Sequence, residues 1–420
     1  MTQPKNAASI FNIAVIVAAL GYFVDIYDLL LFGIIRIPSL RDLGLTEEQI
    51  LTEGEGILTW QMWGLLLGGI LWGVMGDKRG RLSVLFGSIV LYSVANIANG
   101  FVQTVDQYKI IRFIAGVGLA GELGAGITLV SEITAKEKRG IATSLVAGIG
   151  LTGAVLAFIM KEIFDYPDGW RICYFIGGGL GLMLLILRIS VFESGMFHET
   201  KKLNVSRGNL LMFFTNGDRF KRYLTGILIG LPTWFVIGVL VTFSSEFGKV
   251  MGITDKIDPG RAIMFAYVGI SIGDITIGFV SQWFRSRKKA LLLFYGITVF
   301  FMILYFATLQ NGTAAAMYWI CAGLGFGTGF WAIFVTMAAE QFGTNIRSTA
   351  ATTIPNMVRG MLAIFILPLF QGVRNVTDYF TGGWMSAVII MAIGTIAVLL
   401  TRETFGKDLN YVETDGVESH

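Results

Sequence analysis

Arg359 stands alone in an apolar stretch, Ala350–Val373, whose nearest flanking charges are Arg347 and Arg374. Twelve residues separate Arg359 from Arg347, which at helical rise carries the chain ~18 Å into a hydrocarbon layer roughly 30 Å thick. A charge at that depth costs about 2.5–3.5 kcal/mol on insertion scales, so it is kept where it faces protein or a water-filled cavity. The natural guest of a buried guanidinium is an anion, and its planar fork suits a carboxylate because it can bind both oxygens at once. We therefore expect Arg359, with Asn356 one turn before it, to bind an anionic solute. The competing expectation is a structural arginine paired with a neighbouring acid such as Asp274.

Carboxylates supply the complementary chemistry. Asp25 and Asp28 are three residues apart in Gly21–Asp28 and project from one face of a helix. Two acids held together on an apolar helix suggest a proton or cation site, because close like charges favour keeping one of them protonated; the alternative is that Asp28 is simply wet. Arg112 and Glu122 are intramembrane charges on a single helix, about 15 Å apart by rise. Glu122 is a candidate proton carrier, since a carboxyl group out of water favours its neutral form, or equally a salt-bridge partner. Asp274 is the acid of the second half that matters most. Only two histidines exist, His198 in a polar connector and His420 at the end, so proton coupling falls to the acids. Tyr27 and Arg112 join Arg359 and Asn356 as candidate solute contacts. Trp234, beside Pro232, is either a stacking surface for the solute or a packed core residue. Gln61, Asn96 and Asn99 read as helix–helix hydrogen bonds.

These residues need a membrane scaffold to hold them. Hydrophobic residues make up 54% of the chain and charged ones 15%, against ~25% in ordinary soluble domains. Glycine supplies 53 of 420 residues, as close helix packing in lipid requires. Cys173 and Cys321 both fall in apolar runs, which excludes a disulfide framework or CxxC metal site. No HExxH or phosphate-cradling loop is present, and we expect neither an enzyme nor a cofactor or metal. The net charge of +3 gives no reason to expect nucleic acid. The polar start, Met1–Ala8, followed by a long apolar run without a cleavage site, reads as lacking a signal peptide.

Twelve apolar segments of spanning length fall into two groups of six. The expected organisation is an N-terminal bundle at 1–192, a connector at 193–222 forming an amphipathic surface helix, a C-terminal bundle at 223–401 and a tail at 402–420. With both termini cytoplasmic, 20 basic residues lie on the cytoplasmic side and seven opposite, which sets the orientation. The halves echo each other. Glu132 and Arg139 follow the fourth segment, Glu340 and Arg347 follow the tenth, and the pairs sit 208 residues apart with identical spacing. A duplicated unit explains this, with its halves related by an axis along the membrane normal.

The turn Gly73-Val-Met-Gly-Asp77-Lys-Arg-Gly80-Arg81 resembles the signature loop of the major facilitator superfamily, whose second copy, near Gln282 and Arg285, lacks the acid. The fourth segment, from Arg112 through Gly116, Gly118 and Gly121 to Glu122, is similar to the sugar, organic-ion and phosphate porter branches. Gly21–Asp28 looks like the first helix of phosphate:proton symporters and of nicotinate-type porters. The phosphate family continues its fourth-helix motif with Asp-Tyr-Pro, where this chain has Glu122, Leu123 and Gly124, which argues against inorganic phosphate. Glu340–Arg347, followed by an arginine in the eleventh helix, resembles organic-ion and aromatic-acid porters.

The resemblance implies an all-α membrane protein, twelve helices in two pseudo-symmetric six-helix bundles. Its central cavity would be lined mostly by the first, fourth, seventh and tenth. The expected activity is proton-coupled uptake of a small organic anion by a monomer in the cell membrane. In that scheme Arg359 takes the carboxylate, and Glu122, Asp25 or Asp28 takes the proton. Gly73, Asp77, Gly80, Arg81, Glu132, Arg139, Glu340 and Arg347 form the cytoplasmic clasp. A sugar:proton or phosphate symporter of the same fold is the alternative, with a drug/proton antiporter ranked below.

Overall fold

A computed structural model describes residues 13–79, 81–122, 130, 139–193, 210–343, 345–407, 411 and 413. Among them the regular structure is helical, with no strand, as expected where hydrocarbon leaves backbone polar groups no partner but the helix itself. The first four spans are α1 (Ile13–Asp42), α2 (Glu47–Arg79), α3 (Arg81–Asn99) and α4 (Val105–Leu119). The fifth is made of α5 (Arg139–Leu151) and α6 (Gly153–Ile163), and the sixth is α7 (Gly169–Glu193). The seventh joins α8 (Gly217–Phe235), a π-helical turn at Val236–Val241 and short α9 (Ser244–Val250). The eighth and ninth are α10 (Pro259–Phe284) and α11 (Arg287–Thr308). The tenth is broken into α12 (Ala314–Thr328) and α13 (Trp331–Glu340). The eleventh runs through α14 (Arg347–Met361), a second π-helical turn at Leu362–Ile366 and α15 (Leu367–Val376), and α16 (Tyr379–Leu400) is the twelfth.

Ten of these rods are long and apolar enough to cross a bilayer. The third, Val84–Asn99, is a shorter apolar helix, and the fourth is followed only as far as Glu122. Large apolar side chains such as Leu67, Val94, Ile186, Phe279, Trp283 and Ile303 stay on the outside of the molecule, the arrangement lipid favours and water does not.

Local signals set the helix ends. Thr104, Asn216, Asp258, Ser286, Thr313 and Asp378 each cap the helix that follows them, accepting one or two of its first free N–H groups. Because Asn216 caps at that point, the seventh span starts at Gly217, inside the stretch read as connector. The rest of that stretch, 194–209, lies outside the described residues. The two sets of six pack internally and meet along α2 against α14 and α5 against α10.

Candidate functional site

Arg359 sits on α14 where that helix faces the other bundle, and it is 1% exposed. Its Nη1 donates to Asn356 Oδ1 at 3.4 Å, one turn back. Its Nη2 lies 4.0 Å from Asp25 Oδ2 on α1, too far for a hydrogen bond but close enough for a loose ion pair. Nε has no partner, and neither oxygen of Asp25 accepts a hydrogen bond. The guanidinium carbon is 5.8 Å from the ring centre of Trp331, and the phenols of Tyr22 and Tyr267 are within electrostatic reach of both charges. Charge, donors and aromatic surface converge here from the first, eighth, tenth and eleventh spans. Of the first, fourth, seventh and tenth spans expected around the solute, the first and tenth bring side chains next to Arg359.

Asp274 does not pair with Arg359. Its Oδ1 accepts the backbone N–H of Ala332 at 3.0 Å, so the acid caps α13, the second half of the broken tenth span. A carboxylate at a helix N-terminus meets free N–H groups and the positive end of the macrodipole, which explains the choice of partner. That cap lies one residue from Trp331. The indole beside Arg359 is therefore Trp331, whereas Trp234 is buried in the core of the seventh span. Trp331 was missed because nothing in sequence marks the break that turns it inward except Gly329 just before it.

Glu122 has a partner that sequence reading also missed. Arg188 of α7 holds it through both guanidinium ends, with Nη1 3.0 Å from Oε2. Both side chains are fully buried, and Gly21 of α1 lies so close that a Cβ there would overlap them. The same clue that picked out Arg359, one charge in an apolar run, was present at Arg188. Arg112 donates to Asn96 Oδ1 at 3.2 Å and to the backbone carbonyl of Asp28 at 3.0 Å, and it faces the ring of Tyr174. Tyr27 donates to the carbonyl of Cys173 at 2.9 Å inside the N-terminal bundle. Gln61 bonds Leu29 as a helix–helix contact, but the amide of Asn99 finds no protein partner.

Several polar contacts cross between the bundles. Asn356 Nδ2 reaches the carbonyl of Ala120 at 2.7 Å. Nearer the end of the bundles where α1 begins and α16 stops, Thr143 and Thr336 are 3.2 Å apart and Thr349 donates to the carbonyl of Gly73 at 3.4 Å. A Cβ at Gly73 would stand 3.0 Å from Thr353, so glycine lets α2 and α14 meet. On the far side Arg36 pairs with Glu246 at 3.1 Å and Lys161 with Asp258 at 3.0 Å. Glu55 there takes Arg374 at 3.4 Å and Gln371 at 2.9 Å.

Of the expected clasp, Gly80, Glu132 and the side chains of Asp77, Arg81 and Arg139 lie outside the described residues. Glu340 is gripped by Arg287 through two 2.7 Å contacts, and Arg347 Nε donates to the carbonyl of Phe342.

Residues 11–364 match the family model described as Major Facilitator Superfamily. The chain is 24% identical to the niacin transporter NiaP of Acinetobacter baylyi, over 94% of this chain and 95% of that one. It is 26% identical to the 3-(3-hydroxy-phenyl)propionate transporter of Escherichia coli, over 81% and 83% respectively. Among solved structures, the proton:xylose symporter XylE bound to 6-bromo-6-deoxy-D-glucose is similar, with a TM-score of 0.71 at 18% identity over 94% of this chain and 97% of that one. At that identity the likeness concerns fold alone.

Proposed function

The chain belongs to the Major Facilitator Superfamily, and from that premise we propose that it couples uptake of a small organic carboxylate to protons by alternating access. One observation carries this reading. Arg359 is a cation buried at the boundary between bundles with its charge only partly answered, since Asp25 stands beyond hydrogen-bond range and Nε is free. Burying such a charge is costly unless it is fully paired, so the site favours a ligand that completes the pairing. A carboxylate does so, and Trp331, Tyr22 and Tyr267 offer aromatic surface for the rest of an aromatic acid. Relatives named for niacin and for a phenylpropionate fit the same class.

Asp25 is the acid best placed to couple the two ions. While ionised it competes with the solute for Arg359. A proton on Asp25 removes that competition, so proton and solute bind together. Glu122, held by Arg188, is less free to take that role. The bundles then rock about the filled site. On the far side, outside the cell by the Lys/Arg bias, the pairs at Arg36, Glu55 and Lys161 part and re-form. On the cytoplasmic side the Gly73–Thr349 contact does the same, together with Asp77, Arg81, Glu132, Arg139, Glu340 and Arg347. Arg112 and Tyr27, tied into the N-terminal bundle, shape the site from behind.

The test is uptake of radiolabelled nicotinate, 3-(3-hydroxyphenyl)propionate and xylose by purified protein in liposomes, with and without an inward proton gradient. Accumulation of an acid that stops when the gradient is collapsed is the expected result. Acid uptake indifferent to the gradient would sink the symport, and accumulation of xylose alone would sink the carboxylate.

A further inference from the structure

One face of α3 carries Tyr92, Ser93, Asn96 and Asn99, and it points into the N-terminal bundle rather than toward the solute site. All four are fully buried. The Tyr92 hydroxyl, the Ser93 hydroxyl and both ends of the Asn99 amide have no protein partner. Three neighbouring orphans on one helix are far more than a bundle interior normally tolerates, because each unsatisfied group costs about 1–3 kcal/mol. Ordered water satisfies such groups where several converge.

The opposite wall makes room for them. Gly177 of α7 lies against the Asp28 carboxylate and Gly181 against Ser93, so close that a Cβ at either would overlap. The file also has direction. Asn99 ends α3 at the far-side edge of the membrane, Asn96 meets Arg112 and Asp28 one turn deeper, and the Tyr92 hydroxyl is within electrostatic reach of Asp28, Glu122, Arg188 and Asp25. From Asn99 to Tyr92 the file descends about 10 Å along the helix. Each cation facing it has an acid within reach, Arg112 beside Asp28 and Arg188 bound to Glu122.

We propose that this file is a hydrated proton path inside the N-terminal bundle, leading from the far side to Asp25 and separate from the route the solute takes between the bundles. It rests on the proton-coupled reading above. A proton enters from far-side hydronium, passes along water and the hydroxyls of Ser93 and Tyr92, and ends on a carboxylate oxygen of Asp25, leaving one water behind. The solute meanwhile enters where the far-side ion pairs part.

The experiment uses proteoliposomes with an internal pH dye and the acid that the wild-type protein accumulates in the panel above. Tyr92→Phe, Ser93→Ala and Asn99→Leu are each compared with wild type for solute-driven proton influx and for gradient-free counterflow of the acid. Proton influx should fall about tenfold or more in Tyr92→Phe and Asn99→Leu, while counterflow stays within about twofold of wild type. Unchanged influx in both variants would overturn the path, as would equal loss of counterflow, which would mark the residues as structural. Absence of coupled influx in the unsubstituted protein would instead remove the symport reading itself, before any variant is compared.

Discussion

Arg359 on the eleventh span and Asp25 on the first lie 4.0 Å apart across the boundary between bundles, an ion pair between residues 334 positions apart in the chain. Neither is fully satisfied by the other. That incompleteness is what the proposed carboxylate and proton would each answer by binding at the same place.

The guanidinium fork should matter as much as its charge. Arg359→Lys keeps a cation but loses bidentate geometry, and uptake of the acid should fall by about a hundredfold, on the order of 3 kcal/mol for a charge-assisted pair. Initial rates in proteoliposomes read this. Uptake within a few fold of wild type would mean that the fork does not hold the solute.

Glu122 and Arg188 should behave as a structural unit. Removing one partner leaves a bare buried charge, so Glu122→Gln or Arg188→Met alone should destabilise the protein by about 3–5 kcal/mol. Together the two substitutions should cost less than either alone. Thermal unfolding in detergent checks this, and a strictly additive double variant would contradict it.

The broken tenth helix should depend on its cap. Asp274→Asn keeps an acceptor for the Ala332 N–H but loses the charge facing the helix end, whereas Asp274→Leu leaves that N–H unsatisfied. Asn should therefore retain most uptake and Leu should lose it, with Trp331 fluorescence shifted in the Leu variant only. Identical behaviour of the two variants would remove the cap from the account.

Gly73 should act as a contact point rather than a hinge. A Cβ at 73 would sit 3.0 Å from Thr353, so Gly73→Leu should hold α2 away from α14 and leave that end of the bundles open. Cysteine labelling from that side should rise while uptake is lost. Unaltered labelling would show that the bundles part elsewhere.

A pH test falls outside the membrane. Glu403 follows the last span and accepts the N–H groups of Arg287 and Lys288 and the hydroxyl of Ser286. Partial burial opposes its charge, but those hydrogen bonds win and hold its pKa below the usual glutamate value. Because the folded value lies below the unfolded one, its stabilisation is present above about pH 4.3 and fades as pH falls through the folded value. Glu403→Gln should therefore lower the unfolding midpoint more at pH 7 than near pH 3. An equal drop at both pH values would contradict this.

Much of this architecture was legible in the residues, for a physical reason. Lipid forces each span to be an apolar run of set length, so the spans and the echo of Glu132…Arg139 in Glu340…Arg347 could be read directly. A lone charge in such a run is equally visible, which is how Arg359, Glu122 and Asp274 stood out. What they touch was not legible. Asp25, Arg188 and a backbone N–H of α13 come from spans distant in sequence, and no local pattern encodes those pairings. Asp274 shows the difficulty best, because reading charge against charge led to Arg359 while the actual partner is an uncharged helix end.

The central claim is that Arg359 recognises a carboxylate, and binding of nicotinate against nicotinamide tests it most directly. The two differ in little but the charge on the group that would meet the guanidinium. Titrated calorimetrically into wild type and Arg359→Gln, nicotinate should bind the wild type about a hundredfold more tightly than the amide, and the preference should vanish in the variant. Equal affinity of wild type for both, or a preference that survives the substitution, would contradict the account.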